Sequence, residues 1–462
     1  MTVKKKQEIE LDVTGIAFGG RGIAKIDGYT VFVDQSVPGD RVLARIVKKK
    51  KSYAEARTLQ IIEPSADRIE PPCRYAGWCG GCKWQFLHYG RQLEYKRRHV
   101  REAIEHIGQI SGVPVHPVLP ADKMFGYRNK MEFSCSDRRW LLPEELGRPD
   151  IPKDFALGLH VPGTFDKILD IDACLLQPEK GNRILNDVRD RIRASGLAPY
   201  GLRTHEGFWR FVMLRHSVAE DRWLVNLVTA AEDRGALDAV AGYLMEAHDD
   251  IAGVVNNVTA KKAAVAAGEY ELPISGRAFV QEQLGGFVFE VSANSFFQTN
   301  TAQAKKLYET VLRYAQLSGA ESVVDLYTGT GTIPIWLSAD AGQVTGLEIV
   351  EPAVADARKN CEKNQITNCR FVAGDIRQSI AEIAHVPDVM IIDPPRAGMH
   401  KDVVKSVLDM APEKIVYVSC NPATLARDLS LMAETYHVAE IQAVDMFPHT
   451  FHIEAVARLV RK

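Results

Sequence analysis

Hydrophobic and polar positions in the C-terminal part of the chain follow two alternating patterns. Short apolar runs typical of buried strands alternate with stretches whose apolar residues recur at helical spacing. The predicted strands lie at residues 323–326, 344–348, 370–373, 389–392, 415–418, 438–445 and 453–460, and the predicted helices at 301–315, 351–363, 401–410 and 423–434, with another helix opening at Ile333. Repeated strand–helix units predict an α/β fold with a mostly parallel, seven-stranded sheet, because right-handed crossovers return successive strands to one sheet.

Residues 1 to about 62 follow a different pattern, in which short apolar runs are separated by glycine-rich turns. We predict five strands that form a small barrel, at residues 8–13, 22–25, 30–33, 41–47 and 54–60. Residues 1–60 carry 12 lysines and arginines against 7 aspartates and glutamates, with four consecutive lysines at 48–51. A small basic barrel is typical of oligonucleotide-binding folds, and a lysine-rich hairpin that keeps the protein soluble is the alternative.

The region between these two patterns is predicted to be mixed α/β. It contains an amphipathic helix at 91–107, strands near 211–214 and 223–228, and a helix at 235–247. The cations on the first helix can bind phosphate but fit a solvated helix face better; they are Lys96, Arg97, Arg98 and Arg101. The expected domains are residues 1–62, 63–290 and 291–462.

Length, charge and cysteine content narrow the class of protein. A chain of 462 residues is long enough for several domains, and a net charge of −2 means that nucleic-acid binding must rest on local patches. The chain has no apolar run of about 18 residues and no apolar signal region after its first residues, which predicts a cytoplasmic protein. In that reducing compartment, clustered cysteines indicate metal binding or catalysis rather than disulfides.

Three of the eight cysteines are closely spaced in a glycine-rich segment. Five residues separate Cys73 from Cys79, and two separate Cys79 from Cys82. This irregular spacing favours an iron–sulfur cluster, since zinc sites usually have two paired C-x2-C elements. As the fourth ligand we expect Cys174, in a predicted loop, rather than Cys135, in a predicted strand. A structural zinc site is the alternative.

The strand at 323–326 runs into a glycine-rich turn that contains Gly329 and Gly331. Glycines let the backbone approach a ligand closely, and Glu348 ends the next strand 23 residues after Asp325, a distance typical of an acid that binds ribose hydroxyls. Pro334 occupies the position of the third glycine of a pyrophosphate-binding motif. A nucleoside cofactor without pyrophosphate, such as S-adenosylmethionine (SAM), therefore fits better than a dinucleotide.

Chemically active side chains follow several of these strands at the point where each one ends. Because the carboxyl ends of parallel strands meet at one edge of a sheet, we expect Tyr327, Glu348, Asp393 and Cys420 to converge there. Asp375, after a further strand, either faces the adenine of the cofactor or caps a turn.

Cys420 is a candidate nucleophile, although free cysteines are often buried and inert. The Asp-Pro-Pro segment at 393–395 is similar to a motif of exocyclic-amine methylation, but Arg396 stands where that motif has an aromatic residue. A thiol suits a different reaction, because its addition to carbon 6 of a pyrimidine makes carbon 5 nucleophilic. A base must then remove the proton of carbon 5. Glu454 is our candidate for that base, and His452 is the alternative.

Six motifs occur in chain order and together resemble one family. They are Gly-x-x-Phe-Gly-Gly-x-Gly with a following Val-Pro-Gly-Asp, C-x5-C-x2-C, Ser-Phe-Phe-Gln-Thr-Asn, Asp-Leu-Tyr-x-Gly-x-Gly-Thr, Asp-Pro-Pro-Arg and Ser-Cys-Asn-Pro-x-Thr-x-x-Arg-Asp, before a closing His-x-Glu. The first resembles the TRAM domain of RNA-modifying enzymes. The whole chain resembles the RNA uracil-5-methyltransferases, in particular the iron–sulfur-containing branch that acts on 23S ribosomal RNA. One departure is Thr328, where such proteins often have cysteine.

The resemblance implies a Rossmann-like SAM-methyltransferase domain that follows a TRAM barrel and a central α/β domain, with the helix near 93–120 packed on the catalytic domain. It implies that Cys420 is the nucleophile, that Glu454 is the base and that the partner is ribosomal RNA with a flipped-out uridine. The SAM site would be lined by Gln298, Tyr327, Glu348 and Asp393, the last also facing the uracil, beside Gly329, Gly331 and Asp375. A [4Fe-4S] cluster would be bound by Cys73, Cys79, Cys82 and Cys174.

Other functions stay open at this stage. A tRNA-acting relative would share the catalytic core, but many bacterial versions lack the barrel and the cluster, which favours ribosomal RNA. An RNA-binding assembly factor without activity is disfavoured, because Cys420, Glu454 and Asp393 occur together with Glu348. A redox sensor built on the cluster is a further alternative. No obligate protein partner is evident.

Overall fold

The computed structural model describes residues 3–462, which form two compact units. Unit 1 comprises residues 3–77, Cys82–Ala121 and Ile392–Lys462, and unit 2 comprises Trp78–Gly81 and Asp122–Ile391. Across residues 3–462, every helix is too short or too polar to cross a membrane.

Unit 1 begins with a six-stranded sheet. Its strands are β1 (Glu8–Asp12), β2 (Gly15–Ile16), β3 (Gly22–Ile26), β4 (Tyr29–Asp34), β5 (Arg41–Lys49) and β6 (Tyr53–Glu63). They lie in the order β1-β5-β6-β4-β3-β2 around a core of small aliphatic side chains such as Val31, Val33 and Ala44. The five predicted strands are confirmed, and the sixth is the short β2, whose two residues give too little pattern to be recognised.

Helix α1 (Tyr89–His106) follows the sheet and confirms the predicted amphipathic helix. Its buried side includes Val100, Ala103 and Ile104, but also Gln92 and Lys96. The expectation that Lys96 lies on a solvated face is wrong, because its ammonium group is fully buried against Asp445. Helical spacing places Lys96 beside the apolar stripe, and only the partner far along the chain makes that burial possible.

Unit 2 contains an eight-stranded sheet with two helices. The elements are β7 (Lys130–Ser136), β8 (Arg139–Trp140), β9 (Ala156–His160), β10 (Ile168–Asp170), α2 (Glu179–Ala194), β11 (Trp209–Ser217), β12 (Arg222–Thr229), α3 (Arg234–Ala247), β13 (Ile251–Val258) and β14 (Tyr270–Gly276), followed by the hairpin of β15 (Phe279–Leu284) and β16 (Phe287–Ser292). The strand order is β14-β13-β12-β11-β7-β9-β10-β8, and only the β12–β13 and β10–β8 pairs are parallel. The strands predicted at 211–214 and 223–228 and the helix at 235–247 are confirmed.

The rest of unit 2 consists of strand–helix repeats. They are α4 (Thr301–Ala315), β17 (Ser322–Leu326), α5 (Thr332–Leu337), β18 (Gln343–Glu348), α6 (Glu351–Lys363), β19 (Cys369–Ala373), α7 (Ile376–Ser379) and β20 (Val389–Ile392). Strand β18 pairs in parallel with both β17 and β19. The prediction of parallel strands with helical crossovers is confirmed here.

Unit 1 ends with α8 (Lys401–Met410), β21 (Lys414–Ser419), α9 (Pro422–Met432), β22 (Tyr436–Val444) and β23 (Glu454–Arg461). Strand β23 pairs antiparallel with both β21 and β22. The connection at 445–453 is too short for the crossover that a parallel pair needs, so the chain reverses direction. The C-terminal region thus has the seven predicted strands, of which the last runs against its neighbours.

Candidate active site

Cys420 lies at the junction between β21 and α9 in unit 1. Strand β21 ends at Ser419, and Asn421 caps the helix by accepting a hydrogen bond from the amide of Ala423 at 3.1 Å. The Ser419 hydroxyl accepts a hydrogen bond from the Asn421 amide at 3.1 Å, which closes the turn around the cysteine. Cys420 is half-buried and free. A strand end followed directly by a capped helix therefore presents one thiol in a fixed position.

Two carboxyl groups lie beside this thiol within unit 1. In the pairing of β21 with β23, Ser419 is opposite Ala455, so Glu454 is next to Cys420 at the end of the ladder. Glu454 is buried, and its burial followed by the charge of Asp393 raises its pKa well above the usual range. Asp393 follows β20, and burial of its carboxyl group raises its pKa to about 7. The structure therefore brings together three residues that the sequence predicts for catalysis and binding.

The electrostatic surroundings of Cys420 oppose ionisation in the free protein. Burial and then the charge of Glu454 raise the pKa of the Cys420 thiol to about 11, although the Arg396 guanidinium next to it lowers the value. The thiol therefore holds its proton at neutral pH. Arg396 is a functional candidate to which the sequence alone assigns no role, although it belongs to the Asp-Pro-Pro-Arg motif. Its signal was its place directly after Asp-Pro-Pro.

The polar residues of the Ser-Cys-Asn-Pro-x-Thr-x-x-Arg-Asp motif hold the loop after Asp393. The Arg396 carbonyl accepts hydrogen bonds from the side-chain amide nitrogen of Asn421 at 3.1 Å and from the Thr424 hydroxyl at 3.3 Å. Further along the loop, Arg427 donates to the carbonyls of Ala397 and Met399 at 3.0 and 3.2 Å.

Buried Asp428 completes this arrangement. It accepts hydrogen bonds from the Met399 amide at 2.8 Å and from the Tyr417 hydroxyl at 2.6 Å, which joins the loop to β21. Gly398 has a φ of +76°, and a Cβ atom there would lie 2.4 Å from Arg427 and 2.7 Å from Asp428. These residues position the loop that carries Asp393 and Arg396, a role that spacing in the sequence did not reveal.

A second network holds the connection 445–453 that leads into Glu454. Lys96 on α1 pairs with Asp445 at 2.5 Å and donates to the Phe447 carbonyl at 3.1 Å, and both charged side chains are fully buried. Tyr89 donates to the other Asp445 oxygen at 2.8 Å, while Gln92 accepts from the His449 amide at 2.9 Å. The buried side of α1 therefore fixes the segment that positions the candidate base.

We expect Lys96→Met to lower the free energy of unfolding by about 3–5 kcal/mol, because the Asp445 charge would remain buried without its partner. Urea denaturation measures this change. The double variant Lys96→Met/Asp445→Asn removes both charges and keeps an acceptor for Tyr89, so it should recover most of the loss. Equal destabilisation in the two variants would show that packing, rather than charge, explains the effect.

The predicted cofactor turn lies in unit 2 after β17. Tyr327 has a φ of +67°, an uncommon left-handed conformation for a residue with a side chain. Gly331 has a φ of +78°, and a Cβ atom there would lie 2.8 Å from Ala357, so only glycine fits. A Cβ atom on Gly329 would meet nothing within 4 Å, so this part of the turn leaves open space. Backbone strain and open space together suit close approach of a ligand.

Glu348 is hydrogen-bonded to the backbone of this turn. Its two carboxylate oxygens accept from the amides of Gly329 and Val350, each at 2.9 Å. Gln298 lies in a loop tied to the same turn, because the Thr330 hydroxyl donates to the Phe296 carbonyl at 3.0 Å. The structure thus brings Gln298, Glu348 and the glycine turn into one region of unit 2.

Asp375 caps a helix, and its predicted role at the adenine stays a prediction. Its carboxylate caps α7 by accepting from the Arg377 amide at 3.0 Å, and it pairs with the Arg377 guanidinium. The turn therefore uses this carboxylate structurally.

Of the four cysteines predicted to bind a cluster, Cys73, Cys79 and Cys82 are half-buried and Cys174 is buried. The Gly81 amide donates to the Cys79 sulfur at 3.3 Å, a contact that suits a thiolate ligand. Within residues 3–462, however, the structure shows no group of three or more His, Cys, Asp or Glu side chains placed to hold a metal ion. The geometry therefore does not show the predicted cluster site, which stays a prediction.

Comparison with known proteins extends the likeness over nearly the whole chain. The TRAM domain profile matches residues 3–59, and the profile of the tRNA (uracil-5-)-methyltransferase family matches residues 271–462. An uncharacterized RNA methyltransferase of Chlorobaculum tepidum is 44% identical over 98% of this chain and 96% of its own length. One from Bacteroides thetaiotaomicron is 41% identical over 96% and 99%.

A solved structure shares the fold as well. Pyrococcus abyssi tRNA (uracil-54, C5)-methyltransferase in complex with S-adenosyl-L-homocysteine superposes with a TM-score of 0.77 at 28% identity. The match covers 98% of this chain and 100% of that one. The likeness in sequence and in fold therefore includes the N-terminal sheet, the central region and the C-terminal strands.

Proposed function

Because the chain belongs to the RNA methyltransferase family that joins a TRAM domain to a uracil-5-methyltransferase domain, we propose that it transfers a methyl group from SAM to carbon 5 of a uridine in 23S ribosomal RNA. The observation that carries this proposal is the placement of Cys420 and Glu454 on paired strands with Asp393 beside them. A thiol and a base in one partly dry site are the two groups that methylation at carbon 5 requires.

The proposed reaction uses Cys420 twice. The thiol first gives its proton to solvent. Its sulfur then bonds to carbon 6 of the uracil, and the electron pair of the 5,6 double bond moves onto carbon 5 and the carbon 4 carbonyl, which makes carbon 5 an enolate carbon able to take a methyl group. Bound SAM supplies that methyl group as an electrophile. The Glu454 carboxylate then removes the remaining proton from carbon 5, and elimination releases Cys420 as the double bond re-forms. The raised pKa of Glu454 suits this role, since a stronger base accepts the proton more readily.

For SAM, we propose the residues around the glycine turn as its site. The Glu348 carboxylate binds the ribose hydroxyls, and the backbone at Tyr327, Gly329 and Gly331 lets the cofactor approach closely. Gln298 adds a side-chain amide, and a role of Asp393 toward the cofactor and the uracil is what the likeness to the family implies. Asp375, which caps the helix after the third strand of this region, is proposed to face the adenine.

For the RNA, ribosomal RNA is favoured by the presence of both the TRAM domain and the C-x5-C-x2-C segment. A transfer RNA substrate is the second candidate, because the P. abyssi protein of similar fold is a tRNA (uracil-54, C5)-methyltransferase. In either RNA the target uridine must leave its stack to reach Cys420. Both substrates belong to the cytoplasm, where we expect the protein.

The test is incubation of the protein with methyl-labelled SAM and unmodified ribosomal or transfer RNA, followed by digestion to nucleosides. We expect label in 5-methyluridine from 23S ribosomal RNA. Label in transfer RNA alone would replace the proposed substrate and leave the chemistry intact. An absence of labelled 5-methyluridine from both RNAs would overturn the proposed function in favour of an inactive assembly factor.

The [4Fe-4S] cluster is kept as a separate proposal that the methylation chemistry does not need. It is supported by the C-x5-C-x2-C spacing and by the hydrogen bond from the Gly81 amide to the Cys79 sulfur, and its proposed ligands are Cys73, Cys79, Cys82 and Cys174. Anaerobically purified protein should then contain about four irons per chain and lose them when Cys82 becomes serine. Protein that contains zinc, or no metal, would refute the cluster and with it the redox-sensor alternative.

A further inference from the structure

The exposed side of α1 forms a basic groove of about 290 Å³ in unit 1. We call it the α1 groove; it is lined by Arg91, Glu94, Tyr95, Arg97, Arg98 and Arg101. Arg91 pairs with Asp67 and Glu94, so the positive charge that is unpaired within residues 3–462 lies on Arg97 and Arg101. Arg101 is exposed and makes no hydrogen bond or ion pair within residues 3–462, while Arg98 has only the exposed partner Glu102. Such exposed pairs are weak and exchange readily for another anion.

An exposed aromatic surface lies in the same unit. Phe18, in the turn after β2, is 42% exposed although it is apolar. Its ring packs edge-to-face on Phe451 at 5.6 Å, and Phe451 packs on His452 at 4.2 Å. We call these three rings the aromatic platform. The platform ends two residues before Glu454, the candidate base.

The turn that carries Phe18 is anchored on both sides, so its exposure is built into the fold. The Trp84 indole donates to the Gly20 carbonyl at 3.3 Å, and the His99 ring bonds the Ile16 carbonyl at 3.0 Å. A Cβ atom on Gly20 would lie 3.1 Å from Trp84, so the turn packs closely against it. The turn therefore holds the ring of Phe18 at the surface, where a nucleobase can stack on it.

The α1 groove and the aromatic platform each contribute one residue that packs against the same buried cluster. Tyr95 from the groove and Phe451 from the platform both pack against the cluster of Ile16, Val37, Trp84 and Leu87. The positively charged surface, the exposed rings and the segment leading to Glu454 therefore share one support.

We propose that the α1 groove and the aromatic platform bind the single-stranded RNA that flanks the target uridine. This inference rests on the proposed function and extends it from the reacting nucleotide to its neighbours. Arginine guanidinium groups bind phosphate oxygens in the groove, and a nucleobase next to the target stacks on Phe18. A base-paired duplex does not fit, because its bases are already stacked. Positive charge with interleaved aromatic rings is the chemistry of single-strand binding surfaces.

The charge component is tested with Arg98→Gln/Arg101→Gln in the full chain. Binding of a short fluorescein-labelled oligouridylate is followed by anisotropy over a range of salt concentrations, without SAM. Loss of two phosphate contacts should reduce the slope of log affinity against log salt by about 1.4. Arg183→Gln, which changes an exposed arginine on α2 of unit 2, is the matched control and should leave the slope unchanged.

The stacking component is tested with Phe18→Ala. Affinity for the same oligouridylate should fall about tenfold, the loss expected for one stacked base, while the salt slope stays at the wild-type value. Thermal unfolding checks that the variant is folded, and Phe18→Trp, which keeps a ring, should retain affinity.

These results separate the inference from the function on which it rests. If the arginine and Phe18 variants bind oligouridylate as the wild type does, while the wild type forms 5-methyluridine in RNA, the inference is overturned and the function stands. If the variants weaken binding but no RNA is methylated, the surface is confirmed as an RNA site and the proposed function fails.

Discussion

Replacing Cys420 with alanine is expected to lower methyl transfer on the order of 10⁴-fold or more, because the variant has no nucleophile to activate carbon 5 of the uracil. The clearest measurement uses RNA that contains 5-fluorouridine. Fluorine at carbon 5 cannot be removed as a proton, so wild-type protein and SAM should give a covalent protein–RNA complex that survives a denaturing gel. Cys420→Ala should give no such complex.

Cys369→Ala is the matched control, because Cys369 is also a free, half-buried thiol of the methyltransferase region. This variant should form the complex as the wild type does. A complex that persists in Cys420→Ala, or one that disappears in both variants, would mean that another group attacks the RNA.

Glu454→Gln is expected to slow turnover by about 10²–10⁴-fold, the range for loss of a general base. The slower step is the removal of the carbon 5 proton, which follows methyl transfer. Cys420 can still add to carbon 6 and the methyl group can still be transferred, but the proton on carbon 5 stays in place. Natural RNA without fluorine should therefore become trapped on this variant as a methylated covalent complex, visible on a denaturing gel.

Glu454→Gln should lose activity but gain stability, since the pKa of Glu454 is raised in the folded protein. An unfolded glutamate loses its proton near pH 4.5, while folded Glu454 keeps it to a higher pH. Between these two values the folded state binds more protons, so wild-type stability falls as pH rises. Glu454→Gln has no such proton to lose. Its free energy of unfolding should exceed that of the wild type above about pH 4.5, by a margin that grows with pH.

Glu434→Gln is a suitable comparison, because Glu434 is an exposed carboxylate of unit 1. It should alter neither turnover nor the dependence of stability on pH. Free product release by Glu454→Gln at the wild-type rate would assign the proton abstraction to another residue, with His452 as the first candidate to examine.

Much of the fold was readable from the chain because the relevant signals are local. Helices α4, α6 and α8 have the predicted bounds, since apolar spacing together with flanking capping or strand-ending residues reports helix formation within a few turns. The short β2 was not predicted, because two residues are too few to show the alternation of apolar and polar positions that marks a strand. The position of much of the chemistry was also local: Tyr327, Glu348, Asp393 and Cys420 stand at or just after the end of a predicted strand.

What local pattern could not supply is the contact between distant segments. The same helical spacing is compatible with an exposed Lys96 and with a buried one, and Asp445, 349 residues later, decides between them. Asp428 likewise has no special feature within its helix, and only the tertiary structure shows that it accepts a hydrogen bond from the Met399 amide of a distant loop. The effect of Arg396 on the pKa of Cys420 is visible only in the folded structure, where its guanidinium lies beside the thiol.

The sequence by itself determined the kind of chemistry: a thiol at a strand end, a glycine turn with an acid after the next strand, and a carboxylate near the end of the chain. Residue type and spacing along one segment carry that information, because they depend on neighbours in the chain. Tertiary structure decided which groups act on each other. The antiparallel register of β21 and β23 brings Glu454 beside Cys420, and burial of that pair then raises the pKa of both groups. Register and burial arise from packing between distant segments, and no local pattern contains them.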